Sequence, residues 1–224
     1  MPRSGASAGA RLNLAAIGAA LHDVRRHFDL VNSGLAARRE PLDDRVIENM
    51  MDAYALVDIL VAGGIDLFVM GNLKFLLELN TRVLCGTNPG RREAYARHTE
   101  ATERRFYEER EAGVQDVIEW HEGHRDDAVW DRAAGVYVRI LSAPQLFIEG
   151  NHRTGAAVMS YILVRGGEPP FVLSAGNAAA YFDPSTAIKD IRKNSGVMMF
   201  RLSAIRKRLA ALLRESADRR YLAS

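Results

Sequence analysis

Residues 154–165 read Thr-Gly-Ala-Ala-Val-Met-Ser-Tyr-Ile-Leu-Val-Arg, apolar on nearly every side of a helix. A helix of this kind has no face to offer water, so other elements must enclose it. The rest of the chain supplies them. Ile17, Leu21, Val24, Phe28 and Val31 step by four, three, four and three, which is one face of an amphipathic helix. Val46, Met50, Tyr54, Val57 and Val61 make a second face, opened by Pro41 with Asp43 and Asp44 in the first turn and stopped by Gly63-Gly64. Strand signals are scarce, and the fold class read from the sequence is mainly α.

Further helices follow from the same periodicity. An apolar segment runs from Asp66 to about Leu79. Residues 91–122 read as one long charged helix, and Val129 to Leu141 as another. Gly166 is placed as the C-cap of the central helix. Asp183-Pro184-Ser185 opens a further helix, and Gly196 precedes a last one, Met198 to Glu215. Only Thr81–Gly86, followed by Thr87-Asn88-Pro89-Gly90, breaks the pattern, and this reads as a short strand with a turn.

Length and composition bound the function. The 224 residues fit one large domain or two small ones; the reading is a disordered tail over 1–10 and a single domain over 11–224. With 48% hydrophobic and 26% charged residues, an ordinary soluble globular protein is expected. A net charge of +2 gives no preference for nucleic acid. No apolar run reaches the roughly 18 residues that span a bilayer, so no membrane partner is expected. Leu12–Leu21 has the look of a signal core, but its pattern continues as a helix through Phe28 and is assigned to the fold. The lone Cys85 excludes an intrachain disulfide and suits a reducing, cytoplasmic location.

The chemistry concentrates at Phe147-Ile148-Glu149-Gly150-Asn151-His152-Arg153-Thr154-Gly155, just ahead of the apolar helix. A Gly-Asn turn feeding a helix N-terminus presents free N–H groups to an anion. Glu149 adds a hard oxygen ligand and Arg153 a cation, the parts that hold a phosphate chain with a divalent metal.

These residues resemble the motif of the Fic (Fido) family, His-x-Phe-x-Asp/Glu-Gly-Asn-Gly/Lys-Arg-x-x-Gly/Arg. Phe147, Glu149, Gly150, Asn151 and Arg153 match it, and the resemblance covers about residues 125–185. It implies a Fic-like helical bundle with a short β-hairpin flap, placed here at residues 81–90. It implies a nucleotidyltransferase that moves AMP or a related group from ATP or another nucleotide onto a protein hydroxyl (AMPylation). In that family the acidic residue holds Mg²⁺, here Glu149, and the loop holds the phosphates, here Gly150, Asn151, His152, Arg153, Thr154 and Gly155. Tyr181 is carried over as a base-stacking residue, against the preferred alternative of an ordinary core aromatic, and a homodimer is common in the family.

Three positions depart from the motif. Gln145 stands where the catalytic His belongs, His152 where a small Gly follows the Asn, and Ala156 where many members carry a second Arg. A glutamine amide takes no proton near neutrality, and loss of a general base costs about 10²–10⁴ in rate. Three readings stay open: a transferase in which His152 or the substrate supplies the base, with Gln145 orienting the substrate; an inactive Fic-like pseudoenzyme that binds or regulates; and a helical scaffold in which the turn only caps a helix and binds no ligand.

Two other clusters carry weaker signals. His121-Glu122-Gly123-His124 spaces its histidines three apart rather than four, without a third ligand, and reads as a turn rather than a metal site. Asp44-Arg45-Val46-Ile47-Glu48-Asn49 partly matches the family's inhibitory helix, whose Glu pairs with the motif Arg; a solvent-facing Glu48 is the preferred reading.

Overall fold

Helix boundaries in the computed structural model fall where the sequence supplies caps. The structure describes residues 11–110, 113–193 and 196–223, so the expected tail lies outside the described residues. Helix α1 (Leu14–Arg26) begins after Asn13, whose side chain accepts from Ala16 N. It breaks at His27, and α2 (Phe28–Ser33) continues the same stripe. Helix α3 (Asp44–Ala62) is capped by Asp43, which accepts from Val46 N, and ends at Gly63. A 3₁₀ turn (Met70–Asn72) leads into α4 (Lys74–Cys85).

The expected hairpin flap at 81–90 is not there. Among the described residues the β content is two isolated bridges. Residues 81–85 are the last turn of α4, because Val83 and Leu84 extend the buried stripe of Leu76 and Leu79. That burial outweighs the weak strand preference of Val. Asn88 accepts from Arg91 N and Pro89 takes the first position of α5 (Pro89–Ala94), a good helix start.

The long charged helix is also corrected. It is three pieces: α5, α6 (Ala96–Glu108) and α7 (Val114–Gly123). Tyr95 and the bend at Gly113 turn the chain so that Phe106, Val117 and Ile118 can all reach the core. Helix α8 (Val129–Leu141) lies as predicted, and a loop leads to α9 (Asn151–Arg165). Helix α10 (Ala178–Ile188) starts seven residues before Ser185, so Pro184 sits inside the helix rather than opening it. Helix α11 (Gly196–Glu215) and a 3₁₀ turn (Arg219–Tyr221) close the chain.

Helix α9 is the axis of the packing. It lies against α8, α3 and α4, and α11 packs on α8. From Thr154 to Val164 every residue of α9 is buried. Each buried Val, Ile or Leu there contributes roughly 1.5–3 kcal/mol. Its polar side chains are satisfied: Ser160 Oγ donates to Ala156 O at 2.9 Å and Tyr161 OH to Ile65 O at 2.6 Å. The two ends of the chain meet, with Asn13 N donating to Tyr221 O and Ala223 N to Arg11 O, both at 2.8 Å. Asp58, buried on α3, accepts from Leu12 N at 2.8 Å and from Arg11 Nε at 2.9 Å, and so ties this seam to the core.

Candidate functional site

The loop between α8 and α9 is held from three sides. Asn151, the first residue of α9, turns back on it: Phe147 N donates to Asn151 Oδ1 at 2.9 Å, and Asn151 Nδ2 donates to Phe147 O at 2.8 Å. Phe147 is buried and stacks on Phe106 of α6 with centroids 5.8 Å apart. Arg105, also on α6, donates to Gln145 O at 2.7 Å. From α4, Asn80 Nδ2 donates to Glu149 O at 2.9 Å and to Thr154 Oγ1 at 3.0 Å.

Gly150 makes the turn. Its φ of +77° lies in the left-handed region, where a non-glycine residue costs roughly 1–2 kcal/mol. A Cβ there would also stand 3.1 Å from both Asn80 Nδ2 and Leu84 Cδ2. No side chain caps α9 at Gly150. Its first N–H groups, which have no intrahelical acceptor, are left for a ligand or water.

The charged residues sit around this turn. Glu149 is exposed at its outer edge, beside the exposed Ile148. Arg153 is half-buried and donates through Nη1 to Val83 O at 2.8 Å, in the last turn of α4. Burial pulls the guanidinium down from its ordinary value and Glu149 pulls it back up. Glu48 instead pairs with Arg91 at 3.3 Å, so the α3 glutamate is not on Arg153.

His152 is placed differently from a freely available base. Its Nδ1 lies 3.1 Å from Tyr137 OH, and its carbonyl accepts from Tyr181 OH at 3.1 Å. Burial, with Arg39, Lys189 and Arg153 nearby, pulls the imidazole down to about 4. It is therefore neutral at pH 7 and a weak proton acceptor, poorly matched to a base that works near neutrality. Gln145 is engaged in the loop: its Nε2 donates to Leu141 O at 3.3 Å and its Oε1 accepts from Asn151 at 3.4 Å.

Two site residues are structural. Tyr181, expected to stack on a nucleotide base, is 4% exposed and packs on Phe171 and Tyr137 with centroids 4.8 and 5.5 Å away. The apolar wall of α8 took the ring that an open site would have used. Gly155 faces α8, where a Cβ would meet Tyr137 Cδ2 at 2.7 Å. Its smallness sets the approach of the two helices. His121 and His124 lie at the end of α7 and stack on Phe68 and Trp120, each at 3.9 Å.

Arg39, Lys189, Asn80 and Arg105 were missed by sequence reasoning. All four lie far from the motif in the chain, and three of them carry no local signal. Asn80 did carry one, as an amide on the apolar stripe between Leu79 and Val83. No family model matches the chain, and no curated protein or solved structure matches it either. Among the described residues no group of three His, Cys, Asp or Glu could hold a metal ion, and no helix is long and apolar enough to cross a membrane.

Proposed function

We propose that the loop at 149–155 binds the phosphates of a nucleotide or other phosphorylated ligand, as its resemblance to the Fic motif implies. The observation that carries this reading is the uncapped start of α9 behind Gly150, with Arg153, Arg39 and Lys189 all acting on the His152 ring in its first turn. Free backbone donors thus lie beside one cation, Arg153, with Arg39 and Lys189 near enough to act on His152, a combination that suits a phosphate. Glu149 is a single exposed carboxylate, so it fits Mg²⁺ only as one ligand of several, the others being phosphate oxygens and water. The metal would neutralise phosphate charge.

For nucleotidyl transfer, a protein hydroxyl would attack the α-phosphorus, the bond to pyrophosphate would break, and the hydroxyl proton would need an acceptor. Gln145 takes none and His152 is a weak one. These two residues favour a binding or regulatory role, the pseudoenzyme reading, over an efficient AMPylator. The test is Gln145→His, assayed for transfer of labelled AMP to proteins and for nucleotide affinity. On this account wild type transfers little or nothing and Gln145→His gains about 10²-fold or more. Efficient transfer by the wild-type chain would overturn the assignment of the base. Wild-type and Gln145→His proteins that both fail to bind any nucleotide would overturn the phosphate site itself.

A further inference from the structure

Tyr137 of α8 is 1% exposed, and its hydroxyl ends on the first turn of α9. Among the described residues the geometry gives that hydroxyl one hydrogen bond, with His152 Nδ1 at 3.1 Å. Tyr181 OH and Ser185 Oγ also lie beside it. Their protons go to carbonyls, which can only accept: Tyr181 OH donates to His152 O at 3.1 Å and Ser185 Oγ to Phe182 O at 2.6 Å. The buried phenol must still place its own proton, because an unspent donor inside the protein is costly. An imidazole nitrogen is a stronger acceptor than a hydroxyl oxygen, so the Tyr137 proton points at Nδ1.

That direction fixes the ring. The imidazole is neutral at pH 7, since burial, Arg39, Lys189 and Arg153 all disfavour its cation. A neutral imidazole has one N–H, and with Nδ1 accepting, the proton sits on Nε2. Nε2 has no hydrogen-bond partner among the described residues and is not sealed from solvent. It is a free donor beside the uncapped start of α9, in the field of three cations. Arg39 is held there by Phe182 O at 3.0 Å and Thr186 Oγ1 at 2.6 Å. A donor in cationic surroundings suits an anionic oxygen, and a base would need the lone pair that Nε2 no longer offers.

We propose, on the phosphate reading of the loop, that Tyr137 is a positioning residue that locks His152 as its Nε2–H tautomer, so that the ring donates a hydrogen bond to a phosphate oxygen of the ligand. His152 then serves affinity and not proton removal.

The test uses the full chain labelled with ¹⁵N-histidine at pH 7, the His152 signals being identified by their loss in His152→Gln. Long-range ¹H–¹⁵N correlation should show Nε2 protonated and Nδ1 bare. The Nδ1 resonance should move downfield in Tyr137→Phe as its hydrogen bond is lost. An Nδ1–H tautomer in wild type, or an Nδ1 resonance unmoved in Tyr137→Phe, would overturn the proposal. The wild-type spectrum decides the tautomer by itself, which covers the case of a Tyr137→Phe that does not fold. Pyrophosphate is then titrated by calorimetry. Affinity should fall about tenfold or more in His152→Phe and about threefold or more in Tyr137→Phe, as expected for a hydrogen bond to a charged group. It should stay near the wild-type value in His152→Gln, whose amide nitrogen falls where Nε2 stood. Binding unchanged in His152→Phe, or lost as fully in His152→Gln, would overturn the donor role and leave the phosphate site standing. No binding by wild type would overturn the phosphate site and the donor role together.

Discussion

Gly155→Val is expected to remove a large part of the fold's stability, and Gly155→Ala a smaller part. An Ala Cβ at this position would stand 2.7 Å from Tyr137 Cδ2 and 3.3 Å from Leu141 Cδ1. Tyr137 is 1% exposed and cannot swing into solvent. Overpacking of this kind costs about 1–3 kcal/mol. The gain in helix propensity from Gly to Ala recovers only about 1 kcal/mol. The clash therefore wins for Ala, and the two further methyl groups of Val enlarge it. Displacing the Tyr137 ring also breaks its contact with His152 Nδ1. Urea unfolding of the two variants checks this: midpoints should fall in the order wild type, Ala, Val. A Val variant as stable as wild type would mean that α8 and α9 do not approach as described.

Stability should fall steeply between pH 6.5 and pH 4. His152 and His121 are each pulled from 6.5 down to about 4, in both cases chiefly by burial. In that window the unfolded chain takes up protons that the folded chain refuses, so stability rises with pH and is lost on acidification. It is fully present above pH 6.5 and gone below about 4. For the more buried His152 the full shift corresponds to on the order of 3 kcal/mol, an upper limit. His121 is more accessible and contributes less. His152→Gln keeps a polar side chain beside Tyr137 but cannot titrate. It should flatten the change in unfolding midpoint between pH 7 and pH 4.5 by more than half. An unchanged pH profile in that variant would place the titration elsewhere.

The all-helical class was legible because burial here follows helical periodicity. The face Ile17, Leu21, Val24, Phe28 and the run 154–164 are all buried positions of their helices. What failed was local. Thr81–Cys85 carries β-branched and small residues that look like a strand in isolation, yet Val83 and Leu84 are needed to finish the buried stripe of α4. The charged segment 91–122 showed no breaker strong enough to mark its two bends, since Tyr95 is an ordinary helix residue and Gly113 stands alone. At the candidate site, the sequence could name Glu149, Gly150, Asn151 and Arg153 by pattern. It could not show that Tyr181 is consumed by the core, or that His152 is held neutral by burial and three cations from α9, α10 and the α2–α3 connection. Those facts depend on partners distant in the chain, which spacing within a motif does not encode.

The phosphate-binding claim is tested most directly by thermal unfolding with ATP, GTP, CTP, UTP and their diphosphates, each with and without Mg²⁺. Wild type, Glu149→Ala and Arg153→Ala are compared. A ligand that binds only the folded chain adds about 2.7 kcal/mol at 100 times its Kd, which raises the midpoint of a chain this size by about 5–10 °C. At least one nucleotide should raise it for wild type. The shift should vanish in Arg153→Ala, and its Mg²⁺-dependent part should vanish in Glu149→Ala. No shift with any nucleotide, or a shift that survives Arg153→Ala unchanged, would contradict a phosphate site at the start of α9.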